Sequence, residues 1–389
     1  MTSAINSVPN DAPLAGVRVI EFGQYIAVPA AGQSLADLGA EVIKIEPSAG
    51  DAARQLGWTD DDCGPMFTAY NRGKRSVVLD LRSDAGSAAA LKLVASADIV
   101  LQNMRPGAMH KLGLSAEQLM SQFPRLIYGQ VSGFGQRGPA SSRAGLDIAA
   151  QAESGMMSLN GEAGRDPVRV GFTAVDILTA QSLTSGVLAA LFRRSVNGRG
   201  ALINLSLIDI AVASLANAWA EYRMFNKVPL RCGNGQPTVA PAAEVVATSD
   251  GMVVVSAYTE EHFPRLCNAI GSPELAQDAR FATNRARVEN RAALLAALNT
   301  AFHHHSTHAV CELLSNAGVV VGAIRTMDQI RAGQEGVSKD LFVGTQAGER
   351  ATADIPGVVL IDDYKHRPGR VPSLGEHTRQ VLSELNQAN

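Results

Sequence analysis

The chain has 389 residues, 46% hydrophobic and 18% charged, with a formal net charge of −3. That length allows two domains and a sizeable core, and the near-neutral balance, with no basic stripe, argues against nucleic acid or a membrane as partner. Cys63, Cys232, Cys267 and Cys311 are scattered without a CxxC pair, which predicts reduced thiols and a cytoplasmic protein.

The opening MTSAINSVPNDAPLAG reads as a loose arm without the regions of a signal peptide. No window reaches the roughly 18 uninterrupted apolar residues of a spanning helix. VRVIEF (17–22) predicts a short buried strand, and GQYIAVPAAGQSLADLG a loop entering a helix. EVIKIE (41–46), SVVLDL (76–81), DIVLQN (98–103) and RLIYGQVSGF (125–134) predict four more strands, with AALKLVAS helical before DIVLQN. Short apolar strands alternating with helices predict a doubly wound parallel α/β sheet over about the first 200 residues. GFTAVDILTAQSLTSGVLAAL (171–191) opens a helix that runs to about Arg194, where VNGRG supplies the stop. ALINLSLIDIAVASLANAWAEYRMF is first strand-like, then helical, and VPLRCGNGQPTVAPAAE (228–244) reads as a junction or mobile loop. EVVATSDGMVVVSAY predicts a hairpin around Ser249-Asp250-Gly251. HFPRLCNAIG and NRAALLAALNTAFHHHS are helical, and VPSLGEHTRQVLSELN predicts a loop and a capped helix.

Asp176 is the residue that needs explaining, because it is a carboxylate inside a run of apolar and small residues. One reading makes it a helix N-cap; the other makes it a carboxylate nucleophile. Familiar motifs do not decide between them. Gly133-Phe134-Gly135-Gln136-Arg137-Gly138 matches GxGxxG after a strand, but Pro139 and two serines follow where a dinucleotide fingerprint needs a helix, so NAD binding is rejected. His303, His304, His305 and His308 lack a third ligand on one face and read as an exposed helix surface, with no metal. GxSxG and GxxxxGK[ST] are absent from the sequence.

Taken in order, LAGVRVIEFGQYIAVPAAGQSLADLGAEVIKIEPSAGD, NRGKRSVVLDLRSDAG, DIVLQNMRPGAMHKLGL, LIYGQVSGFGQRGP, RAGLDIAAQAESGMM, VDILTAQSLTSGVLAALFRR, NGRGALINLSLID and PSLGEHTRQVL resemble the class III CoA-transferase family. That group includes formyl-CoA transferase and carnitine CoA-transferase. The resemblance implies that Asp176 is the catalytic carboxylate, kept ionised by the helix end despite its apolar neighbours. It implies CoA contacts at Gln24, Tyr25, Ile26, Ala27, Leu79, Arg82, Asn103, Met104, Lys111 and Asp147. Backbone N–H groups near Ala27 and at the Asp176 helix end are the expected oxyanion donors. Pro47 departs from the pattern, since formyl-CoA transferase has an arginine there, and Lys44 or Arg54 is the expected replacement. Gly233, Gly235 and Gln236 fall in the family's mobile glycine loop, which on sequence alone reads equally as a linker. RDPVRVG and GNGQPTVAP resemble the branch acting on dicarboxylates such as itaconate, mesaconate, citramalate or glutarate, with Arg143 and Arg169 as candidates for a distal carboxylate.

The partners so implied are an acyl-CoA donor such as succinyl-CoA and a carboxylic-acid acceptor, with CoA a substrate and no prosthetic group. An interlocked homodimer is expected. Each chain would combine a large Rossmann-like domain (1–224, rejoined by 326–389) with a small α+β domain (225–325). Two other activities stay open: an α-methylacyl-CoA racemase, disfavoured because Leu146 replaces its histidine, and a non-catalytic acyl-CoA binder.

Overall fold

The computed structural model describes residues 12–57, 62–235, 242–257, 259–332, 336–338, 341–348, 353–357, 364 and 369–387. Two compact units share the chain, one of residues 1–156, 170–219 and 338–389, the other of 157–169 and 220–337.

The first unit is built on six parallel strands in the order β3-β2-β1-β4-β5-β6. They are β1 (Arg18–Phe22), β2 (Glu41–Glu46), β3 (Arg75–Val78), β4 (Ile99–Gln102), β5 (Ile127–Ser132) and β6 (Ala201–Ser206). Between them in the chain come α1 (Ala27–Asp37), α2 (Pro65–Tyr70), α3 (Asp84–Ala95), α4 (Ala108–Lys111), α5 (Ala116–Gln122), α6 (Asp147–Glu153), α7 (Met156–Leu159), which after Met156 belongs to the second unit, and α8 (Ala174–Asn197).

Side chains on a strand alternate between faces, and here both faces are covered, so the strands are apolar on both sides. One register row, Val19-Val42-Ile99-Ile127-Ala201, is buried on the face that carries α1 and α8. The next row, Ile20-Ile43-Val100-Tyr128, is buried on the opposite face. Strand order reverses between β1 and β4, so the carboxyl ends of these strands open onto the crevice where doubly wound sheets bind ligands.

The free edge at β3 is covered by the chain's last segment. His377 N–H donates to Ser76 O at 3.0 Å, Val78 N–H to Thr378 Oγ1 at 2.9 Å, and Gly375 N–H to Ser76 Oγ at 2.8 Å. The same segment carries β12 (Gly369–Val371), in a small sheet with β10 (Phe342–Ala347) at its centre and β11 (Ala353–Pro356) on the other side.

The second unit holds the antiparallel sheet β7 (Ala243–Ala247), β8 (Met252–Ser256), β9 (Val320–Ala323), whose first two strands form the hairpin that the Ser249-Asp250-Gly251 turn predicts. Val246, Val253, Phe263, Leu266, Leu298 and Phe302 lie in its core. The predicted histidine helix stops short: Arg291–Phe302 ends before His303, so His303, His304 and His305 lie in the turn preceding the helix Thr307–Asn316. His308, on that next helix, faces Glu312 at 3.5 Å with both side chains exposed.

The GxGxxG match has a local cause. A Cβ at Gly133 would stand 2.6 Å from the Cα of Gly145, so glycine is needed there for two backbones to cross. No helix begins until Asp147.

Candidate active site

Asp176 is in the first turn of α8, but it is not the cap. Thr173 is the N-cap residue and makes no side-chain capping bond. Instead Oδ2 of Asp147, from α6, accepts from Val175 N–H at 2.7 Å and Asp176 N–H at 3.1 Å. These are the second and third helical amides, the ones an N-cap side chain ordinarily takes. Oδ1 of Asp147 accepts from Gln151 Nε2 at 2.6 Å. Gln151 in turn accepts from Val170 N–H at 2.9 Å and donates to Phe172 O at 3.3 Å, lacing the approach to α8 onto α6.

Three expectations are corrected by this arrangement. Asp147 is buried with its oxygens engaged by three N–H donors, so it is a cap for α8 and offers no open contact to CoA. The amides of Val175 and Asp176 are taken, so this helix end does not supply oxyanion donors. Nor does the helix end keep Asp176 ionised: burial, and then the negative charge of Asp147, push its carboxyl from 3.8 up to about 7. Among the described residues the Asp176 carboxylate has no hydrogen-bond partner, which leaves it free to react. The phenol of Tyr70, at the end of α2, is raised by burial and by the charge of Asp176, which keeps it a protonated neighbour of that carboxylate.

At the carboxyl ends of β1 to β4 lies a cavity of about 1180 Å³. Gln24, Leu79, Arg82, Met104 and Lys111, five of the residues expected to meet CoA, line it together. Pro47 is on the same wall. Arg82 and Lys111 are exposed cations, suited to phosphate. Asn103 plays another part: its side chain accepts from Gln24 N–H and donates to Gln24 O, both at 2.9 Å, so it clamps the loop. Tyr25 is half-exposed in the left-handed region, φ 63°, with its N–H donated to Asp51 Oδ1 at 3.2 Å. Ile26 and Ala27 are buried where α1 begins.

Lys44 and Arg54, the expected stand-ins for an arginine at position 47, are not available to phosphate. Lys44 is fully buried, with Nζ 3.1 Å from Glu21, 2.9 Å from Asp51 and 2.7 Å from the carbonyl of Gly23. Arg54 is buried in a two-pronged bond to Glu46, 2.7 Å at each prong, and stacks 3.7 Å over Phe67. Glu21 also takes Lys74 at 2.8 Å. Gly32 of α1 makes room for that carboxylate, since a Cβ there would come within 1.9 Å of Glu21 Oε2. These buried charges brace the loop after β1 from beneath.

Arg143 makes paired bonds to exposed Glu153, at 2.5 and 3.0 Å, and lies over the Phe134 ring, so it is not free for a substrate carboxylate. Arg169, in the second unit, is exposed and has no side-chain partner among the described residues. Gly233 and Gly235 also belong to the second unit. Gly233 has φ 66° and donates its N–H to Gly161 O at 3.0 Å, while the Gly235 carbonyl accepts from the Cys232 thiol at 3.0 Å. Gln236 lies outside the described residues. Sequence reasoning missed Asp51, Gln151 and Tyr70, each of which meets at least one partner that only the fold brings near: Tyr25 for Asp51, Val170 and Phe172 for Gln151, and Asp176 for Tyr70.

A model of CoA-transferase family III matches residues 14–378. The chain is 36% identical to a succinate–glutarate CoA-transferase of Agrobacterium fabrum, over 99% of this chain and 98% of that protein. It is 34% identical to a succinyl-CoA–D-citramalate CoA-transferase of Chloroflexus aurantiacus, over 96% and 94%. The crystal structure of a CaiB/BaiF family protein from Brucella suis superposes with a TM-score of 0.85 at 35% identity, covering 96% of this chain and 99% of that one. A likeness of this extent, in sequence and in fold, leaves one conclusion: the chain belongs to CoA-transferase family III.

Proposed function

We propose that this protein moves CoA from succinyl-CoA to a second dicarboxylate, with Asp176 as the covalent carrier. The observation that carries the reading is the Asp176 carboxylate at the mouth of α8, without a hydrogen-bond partner among the described residues, in a chain that matches dicarboxylate CoA-transferases over nearly its whole length. CoA lies in the cavity at the ends of β1 to β4, against Gln24, Leu79, Arg82, Met104 and Lys111.

The chemistry requires a carrier whose acyl adduct is as activated as a thioester. A carboxylate provides one, because its adduct is an anhydride; a serine ester would be too stable. An Asp176 oxygen attacks the succinyl carbonyl, the C–S bond breaks, and its electron pair leaves on the CoA sulfur. The thiolate then attacks the aspartyl carbonyl, expelling succinate and leaving an aspartyl-CoA thioester. The acceptor carboxylate displaces the thiolate to form a second anhydride, and the thiolate attacks the acceptor acyl carbon, releasing the product thioester and the Asp176 carboxylate. Each intermediate hydrolyses if water enters, so the burial around Asp176 suits the task.

A homodimer belongs to the same reading. Leu188, Phe192 and Val196 form an apolar stripe on the outer side of α8, with Phe192 and Val196 three-quarters exposed. Leu202 of edge strand β6 is half exposed as well. Such a patch marks a protein interface. Among the described helices α8 is the one long and apolar enough to cross a bilayer, but its other side is packed on α1 and the sheet, which suits a cytoplasmic protein.

The test is to incubate the protein with succinyl-CoA, quench with hydroxylamine and locate the hydroxamate by peptide mass spectrometry. Modification at Asp176 is expected, and Asp176→Asn should lose at least about a thousandfold in kcat while CoA affinity is kept. Exchange at full rate in Asp176→Asn, or modification elsewhere, overturns the assignment. Use of monocarboxylate acceptors alone overturns the dicarboxylate part.

A further inference from the structure

Two carboxylates meet at the start of α8, and only one of them is explained by the transfer chemistry. Asp147 is buried, bonded through Oδ2 to the amides of Val175 and Asp176 and through Oδ1 to Gln151, so its position is fixed by three groups on two segments. It lies next to a carboxylate that has no hydrogen bond of its own among the described residues.

We propose that Asp147 is a positioning residue for the transfer reaction. It takes the helix-end amides that would otherwise stabilise charge on Asp176, and it holds a fixed negative charge beside that residue. Asp176 is therefore relieved when its own charge passes to the departing thiolate and it becomes a neutral acyl or thioester adduct. The role rests on the reading of Asp176 as carrier. The raised Asp176 carboxyl agrees with it, because protonation and acylation neutralise the same charge.

Among the described residues, the other charged groups on the elements packed against α8 are engaged elsewhere. Of the elements packed against α8, α1 carries Asp37, which pairs with Arg72, and α6 carries Glu153, which pairs with Arg143. Asp209, in the helix Leu207–Ser214, is bonded to Ser206 at 2.5 Å, and Tyr128 of β5 donates to Leu114 O at 2.9 Å. Strand β6 has no titratable side chain. The Tyr70 phenol is the remaining group whose titration is coupled to Asp176.

The test compares Asp147→Asn, which removes the charge and keeps a carbonyl acceptor, with Asp147→Glu, which keeps the charge. In Asp147→Asn the acid limb of the kcat profile should move down by on the order of one pH unit. Occupancy of the covalent adduct on Asp176 at saturating succinyl-CoA should fall about tenfold, with KM for CoA unchanged. Asp147→Glu should keep the acid limb of the wild type. A cap with only a structural role would lower kcat in both variants and move neither limb, and that result overturns the proposal, as does a Glu variant that shifts as far as Asn. Should neither variant fold, the wild type decides: the acid limb of its kcat is expected well above the ordinary carboxylate range, and a limb at about 4 overturns the proposal. Absence of any hydroxamate on Asp176 instead removes the carrier reading itself, so the two failures are distinguishable.

Discussion

Asp176 links reactivity to stability. Its carboxyl lies near 7 in the folded chain against 3.8 ordinarily, so between those values the folded chain holds a proton that the unfolded chain has released. Stability contributed by this group is therefore full at low pH and is lost as pH rises through about 7. Asp176→Asn removes the loss: the variant is expected to be more stable than wild type by on the order of 3 kcal/mol near pH 8, with the difference closing toward pH 4. Chemical denaturation at several pH values checks this, and a difference independent of pH would contradict it. Such a gain on removing a reactive group is the usual sign of a site held at a cost to folding.

At the scale of the element, the loop between β1 and α1 is held by charge buried beneath it. Lys44 joins Glu21, Asp51 and the Gly23 carbonyl; Asp51 then takes Tyr25 N–H, and Asn103 takes both backbone groups of Gln24. Removing one member leaves buried charge unpaired, so Lys44→Met is expected to destabilise the protein by roughly 3–5 kcal/mol, measured by urea unfolding. These attachments also show where the sequence is readable and where it is not. EVIKIE at 41–46 is a strand to the residue, because Val42 is buried on one face of the sheet and Ile43 and Ile45 on the other. SVVLDL overreaches, since β3 ends at Val78 and Leu79, Asp80 and Leu81 turn out to line the cavity. Five of the residues that the family resemblance assigns to CoA share one cavity, because each follows the end of a parallel strand. Lys44 and Arg54 stood as phosphate contacts on sequence because their buried partners Glu21, Asp51 and Glu46 are named only by the fold. Asp147 escaped for the same reason, lying 28 residues before the nearer amide it caps.

At the scale of the whole molecule, the outer stripe of α8 makes assembly testable. Light scattering after size exclusion is expected to show a dimer for the wild type and to lose it in Phe192→Asp, since a charge set into an apolar contact is left unpaired. A monomeric wild type at micromolar concentration would remove the dimer.

The closing of the β3 edge by residues 369–387 has a consequence for synthesis. Ser76 and Val78 wait for partners about 300 positions downstream, and the Arg54 guanidinium waits for the carbonyl of Pro372 at 3.1 Å. A nascent chain grows from its amino end and folds as it emerges. The earlier-made strands therefore keep an open border until residues 369–387 have been synthesised and have folded back onto β3.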